Sequence, residues 1–133
     1  MSSLRIPDFK SGSINIRRMK TYTGGQGYVY QYYFVGKRPA LAGSSEGAAT
    51  EYIFDVTSDR KTTFAVSIFV PEEGPLRWAA AHGRRLTGAE EYGAVKMRLF
   101  QAFDEVENMM ADGRRLRVDG DTLEQVLATL RVE

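Results

Sequence analysis

The chain has 133 residues, 43% of them hydrophobic and 26% charged, with 13 glycines, one histidine and no cysteine. That length suffices for one domain with a real core, and the composition is that of a soluble globular protein rather than a disordered one. The missing cysteines exclude disulfides, thiolate nucleophiles and cysteine metal sites, and fit a reducing interior. The N-terminal MSSLRIPDFKSGS has no apolar signal core, and no window approaches the length of a membrane span. The expectation is a single cytoplasmic domain over residues 1–133, without membrane attachment.

The formal net charge of +1 is unevenly distributed. Residues 1–38 carry seven cations against Asp8 alone, a balance of +6, and the remainder carries eleven cations against sixteen acids, a balance of −5. Such asymmetry marks either a face for polyanions or two parts of one molecule that attract each other.

In chain order, Ser13 to Lys20 alternates, with Ile14 and Ile16 on one side, and TYTGGQG then reads as a hairpin loop. Gly27 to Val35 is a strand candidate rich in tyrosine and valine. The stretch Gly36 to Thr50, GKRPALAGSSEGAAT, has too few large apolar groups for a core element and is expected to be a long loop. Glu51 to Thr57 and Thr63 to Val70 flank the polar turn Ser58–Lys61 and predict an antiparallel hairpin. Tyr52, Phe54 and Val56 share one face of it with Phe64, Val66, Ile68 and Val70.

The period then changes to that of a helix. Pro75 to Gly83 permits a short helix, with a strand over Leu76 to Ala80 as the competing reading. A long helix is expected from Ala89 to Met110, opened by Thr87 three residues before Glu90, the spacing of a capping box. Its apolar stripe is Tyr92, Val95, Leu99, Ala102, Phe103, Val106 and Met110; Met97 and Phe100 fall outside it, and either one alone is better explained by adaptable packing at the stripe's edge than by a second contact such as a dimer interface. A brief strand at Leu116–Val118 and a final helix capped by Asp121, with Leu123, Val126, Leu127 and Leu130 inward, complete the chain. The fold class that follows is α+β: a mainly antiparallel sheet of about four or five strands, covered on one face by the long helix, plus a C-terminal helix.

Catalytic motifs fail on context. GSSEG, Gly43–Gly47, matches G-x-S-x-G, but a strand rather than a helix is expected after Ser45. GGQG at Gly24–Gly27 has no following helix to cradle a phosphate, and Gly36-Lys37 lacks the spacing of a P-loop. His82 alone cannot supply a cysteine-free zinc site, and Asp119, Asp121 and Glu124 lack the rest of a calcium loop. Adjacent pairs Glu72/Glu73 and Glu90/Glu91 diverge in regular structure and suit helix starts better than an acid/base dyad. No catalytic residue, metal ligand or cofactor is assigned.

Within GYVYQYYFVGKR, Tyr28, Tyr30, Tyr32 and Phe34 share one face of the strand, and Val29, Gln31, Tyr33 and Val35 the other. If the first row faces inward, Tyr33 is the main aromatic left outside. If it faces outward, a tyrosine ladder beside Arg17, Arg18, Lys20, Lys37 and Arg38 suits single-stranded nucleic acid, with bases stacked on rings and cations on phosphates. The order of antiparallel strands followed by a long helix, over roughly residues 13–110, is similar to that of the single-strand-binding PUR repeat and the Whirly domain. No diagnostic motif is shared and no residue is carried over. The functional expectation is a non-catalytic binding or assembly protein that forms a homodimer. The alternatives are a single-stranded nucleic-acid-binding domain using Arg17, Arg18, Lys20, Tyr28, Tyr30, Tyr32, Lys37 and Arg38, and a small-molecule-binding domain or enzyme with a pocket outside known motifs.

Overall fold

A computed structural model of the chain describes residues 19–41 and 43–133. Five strands form one open sheet in sequence order: β1 (Lys20–Thr23), β2 (Val29–Pro39), β3 (Ala49–Thr57), β4 (Phe64–Pro71) and β5 (Arg115–Arg117). The first four are antiparallel and β5 joins β4 in parallel. The helices are α1 (Glu73–His82), α2 (Gly88–Glu105), α3 (Met109–Asp112) and α4 (Gly120–Thr129). This is the expected α+β class with a mostly antiparallel sheet. Among the described residues, no helix is long and apolar enough to cross a membrane.

The expected β3–β4 hairpin forms in a register that sets Phe54 opposite Val66 and Tyr52 opposite Ile68. Their shared face is buried against Val95, Leu99, Ala102 and Phe103 of α2, with Trp78 of α1 and Leu123 and Leu127 of α4 in the same core. Every helix thus contributes to burying the same side of the sheet, since each amphipathic element has only one apolar face to cover.

Several local expectations need correction. The turn begins later than the TYTGGQG reading allowed, because Thr21–Thr23 pair with β2 and only Gly24–Gly27 reverse the chain. Asp104 at the end of α2 holds that turn: it accepts from the Gly25 N–H at 2.7 Å and from the Tyr22 hydroxyl at 3.0 Å. Gly24 is required there, since a Cβ would lie 2.9 Å from the Phe103 carbonyl oxygen. The expected long loop is also shorter than read. Gly36–Pro39 continue β2 past a bulge after Phe34, and β3 begins at Ala49. Ladder hydrogen bonds, with Arg38 paired to Glu51, sustain this end of the strand without large apolar side chains. The strand candidate's portion from Ser13 to Arg18 lies outside the described residues.

Among the helices, α1 settles the ambiguity of residues 75–82 in favour of helix, ended by Gly83 in the left-handed conformation at φ 75°. The long helix stops at Glu105 instead of Met110. Val106 is extended, and the Asn108 side chain accepts from the Ala111 N–H to begin α3. Met110 is therefore off the α2 stripe and exposed. Asp119, rather than Asp121, caps α4 by accepting from the Thr122 N–H at 2.9 Å, and this bond holds its carboxyl below the ordinary aspartate value. Met97 and Phe100 do not form a free second face. Both are partly buried against the core, and the Phe100 ring stacks on Tyr22 of β1 with centroids 4.4 Å apart.

The capping box at the start of α2 is complete, with Thr87 Oγ1 accepting from the Glu90 N–H and Glu90 accepting from the Thr87 N–H. Arg84 adds a two-point ion pair to Glu90, whose carboxyl is held down to about 2 chiefly by that guanidinium. Thr87→Ala should cost about 1 kcal/mol in urea unfolding, and Thr87→Ser should recover most of it. An unchanged midpoint in Thr87→Ala would show that Glu90 and Arg84 hold this helix end without the cap.

Candidate functional site

The tyrosine strand resolves into two unlike faces. Tyr30 and Tyr32 are 2% and 5% exposed and point at α2. Tyr30 stacks on Phe103 at 4.2 Å with planes 7° apart, and Tyr32 meets Phe100 edge-on at 5.6 Å. The outward tyrosine ladder is thereby corrected: α2 presents rings, and offset stacking against them is the favourable burial for a matching aromatic row. Tyr28, at the strand's mouth, stays 46% exposed.

The proposed cations do not gather around these rings either. The bulge inverts the phase of β2, so Lys37 faces the helix side, 5.6 Å from the Tyr52 ring centroid. Arg38 faces the other side and donates from Nε to Glu51 at 3.0 Å. Lys20 pairs across β1–β2 with Tyr32. Arg17 and Arg18 lie outside the described residues. Of the six described members of the set, only Arg38 lies on the face away from the helices; the rest share the helix side, where α2 covers Tyr30 and Tyr32.

The sheet's other face is built by register. Gln31 lies opposite Thr57, and Tyr33 opposite Asp55, which in turn lies opposite Ala65. Farther along, Ile53 pairs with Ser67, and Glu51 with Phe69, while Ser67 and Phe69 match Arg115 and Arg117 of β5. Tyr33 is the aromatic on the outward row, as the inward alternative required. Glu51 accepts from both Arg38 and the Ser67 hydroxyl, the latter at 2.6 Å. Glu46, from the loop before β3, reaches Arg115 at 3.0 Å and Arg117 at 2.8 Å, and Arg115 lies over the Phe69 ring at 4.7 Å.

Asp55 differs from these paired acids. It is 2% exposed, and its Oδ2 is buried with no hydrogen-bond partner among the described residues; Oε1 of Gln31, 9% exposed, is in the same position. Burial pushes the Asp55 carboxyl up to about 6. The two residues are diagonal neighbours on adjacent strands, so their acceptor groups belong to one patch beside Tyr33. The chain matches no family model, no curated protein and no solved structure.

This patch offers hydrogen-bond acceptance and buried negative charge. Among the described residues it offers no second acid or base in reach: Glu51, four residues away on the same strand face, is about 13 Å distant at the usual strand rise and already satisfied by Arg38 and Ser67. A concavity of about 330 Å³ lies at the same end of the sheet, on its helix side. Tyr28, Tyr30, Phe64, Met109 and Met110 line it, with Glu107 and Asn108 at its polar side. The motif serine Ser45 sits in an exposed turn followed by β3. His82 stacks on Trp78 at 4.2 Å and meets Glu124 at 3.1 Å. Among the described residues, no three His, Asp or Glu side chains converge as a metal site.

Sequence reasoning missed Asp55 and Gln31. The available signal was YIFDVT, where one carboxylate interrupts a run of large apolar and β-branched residues on what becomes a central strand. Glu91 was missed as well. It is more than a charge at a helix start, because its carboxylate accepts from the hydroxyl of Tyr52, a buried tyrosine whose pKa is raised by burial and by that partner.

Proposed function

We propose that the chain is a non-catalytic binding domain, and that its ligand surface is the sheet face turned away from the helices. The observation that carries this reading is the pair of buried acceptors on Asp55 and Gln31 without partners among the described residues. Buried polar atoms are nearly always hydrogen-bonded, so a face that concentrates two such exceptions is one that a bound group completes. The paired acids Glu46 and Glu51, farther along the same face, support the same reading, since they hold Arg38, Arg115 and Arg117 in ion pairs.

The alternative of single-stranded nucleic acid draws less support. Arg38 is paired on this face with Glu51, and Arg115 and Arg117 with Glu46, so these arginines are held in ion pairs rather than free to displace counterions from a phosphate backbone. Tyr28, Tyr33 and Lys37 remain the residues through which a weak strand contact would act. Self-association is the form of the binding reading in which a second copy completes the face; α2 gives it no support, as Met97 and Phe100 are used within the chain.

Backbone-amide NMR during titration with a panel of amines, carboxylates, nucleotides and oligonucleotides tests the proposal. A binding member should shift the amides of Gln31, Tyr33, Ile53, Asp55 and Ser67 and leave those of α2 unmoved. Shifts confined to Tyr28, Met109 and Met110 would transfer the site to the apolar cleft and overturn the reading. Light scattering on the same samples identifies a second copy as the occupant if mass doubles with concentration while the sheet-face amides shift.

A further inference from the structure

We propose that the Asp55 patch takes a cationic nitrogen group, an alkylammonium or guanidinium carried by a small molecule. This rests on the binding face proposed above and names the chemistry of its ligand. The argument is one of charge pairing. Glu51 is matched by Arg38, and Glu46 by both Arg115 and Arg117. The remaining nearby arginine, Arg114, donates its Nε to the backbone carbonyl of Ala65, the residue opposite Asp55, at 3.1 Å. Each of these cations is therefore engaged, and among the described residues Asp55 has no ion-pair partner.

A buried carboxylate without a counter-charge is costly, and a cation that also donates N–H bonds removes that cost most completely. Oδ2 of Asp55 and Oε1 of Gln31 are both acceptors at diagonal positions of adjacent strands, the arrangement that one ammonium or guanidinium with several N–H groups would serve. Tyr33, across the strand pair from Asp55, supplies the aromatic ring beside the cation's site. A neutral amide would satisfy the acceptors but leave the charge, and an anion would add to it. The two acceptors are buried, so entry requires Tyr33 or Gln31 to change rotamer, a common adjustment on binding.

The full chain should be titrated with agmatine and butylamine, and with butanol and butyrate as controls matched in length. The amines should bind and shift the amides of residues 53–57, and the controls should not. Asp55→Asn, confirmed as folded by its thermal transition, should weaken amine binding at least tenfold. Equal binding of butanol, or amine binding unaltered in Asp55→Asn, would overturn the proposal. A carboxylate or nucleotide that maps to the same face would also overturn it, yet leave the binding face itself standing. Arg17 and Arg18 carry the same chemistry within the chain, and a double Arg17→Ala, Arg18→Ala variant separates the sources. If only that variant binds amines, the cation comes from the chain itself and the small-molecule proposal fails.

Discussion

Phe103→Asp should abolish folding, while Gln101→Asp, two residues away on the same helix, should change stability by about 1 kcal/mol or less. Phe103 is fully buried, stacked on Tyr30 and within 5.7 Å of the Tyr22 ring centroid. Removing a buried phenylalanine side chain costs about 3–5 kcal/mol through lost transfer energy and the cavity left behind. Placing a carboxylate among those rings adds a desolvation cost of several kcal/mol, or forces the acid to stay protonated. The total reaches the usual stability of a small domain, about 5–15 kcal/mol. Gln101 is only partly buried and takes no part in that cluster, so its replacement costs mainly helix propensity. Urea melts of the two variants test the register of α2 on the sheet. Equal midpoints would mean that α2 is rotated and Phe103 does not face Tyr30.

The hairpin, the helix cap and the α2 stripe were legible because each is written locally. Tyr52, Phe54 and Val56 recur at every second position, as do Phe64, Val66, Ile68 and Val70, and Thr87 stands at the right spacing from Glu90. The orientation of the tyrosine strand was not legible, since both of its rows are apolar enough to face a core. It is decided by Phe100 and Phe103, some seventy residues later, whose rings accept Tyr32 and Tyr30. The end of α2 was overread because Val106 and Met110 continue the helical period, and periodicity does not register the competing cap at Asn108. The polar face was hidden for another reason. Glu46 and Arg117 are 71 residues apart in sequence, and Arg38 finds Glu51 only through a register that depends on the bulge after Phe34. Asp55 is marked in the sequence only as one carboxylate within an apolar run, and its burial is set by the neighbouring strands.

At neutral pH, Asp55→Asn should stabilise the free protein by up to about 3 kcal/mol, and the gain should vanish near pH 4. The folded carboxyl is raised from 3.8 to about 6 by burial, a difference of about two units, and each unit corresponds to about 1.4 kcal/mol. Because the folded value lies above the unfolded one, the folded state holds the proton more tightly between those limits. The stability linked to that proton is fully present below about pH 4 and is lost as pH rises through about 6. Glu90, held down to about 2, and Asp119, also lowered, act in the opposite sense, contributing stability above the unfolded carboxylate range that is lost as pH falls. Their contributions are common to both proteins and cancel in the difference. Urea unfolding of wild type and Asp55→Asn from pH 4 to 7.5 should therefore give curves that coincide at the acid end and separate through pH 6. A saturating amine ligand should close that gap from the wild-type side, since it supplies the counter-charge that the free face lacks. Parallel curves across the whole range would show that Asp55 ionises without cost, and the case for a group completing that face would lose its foundation.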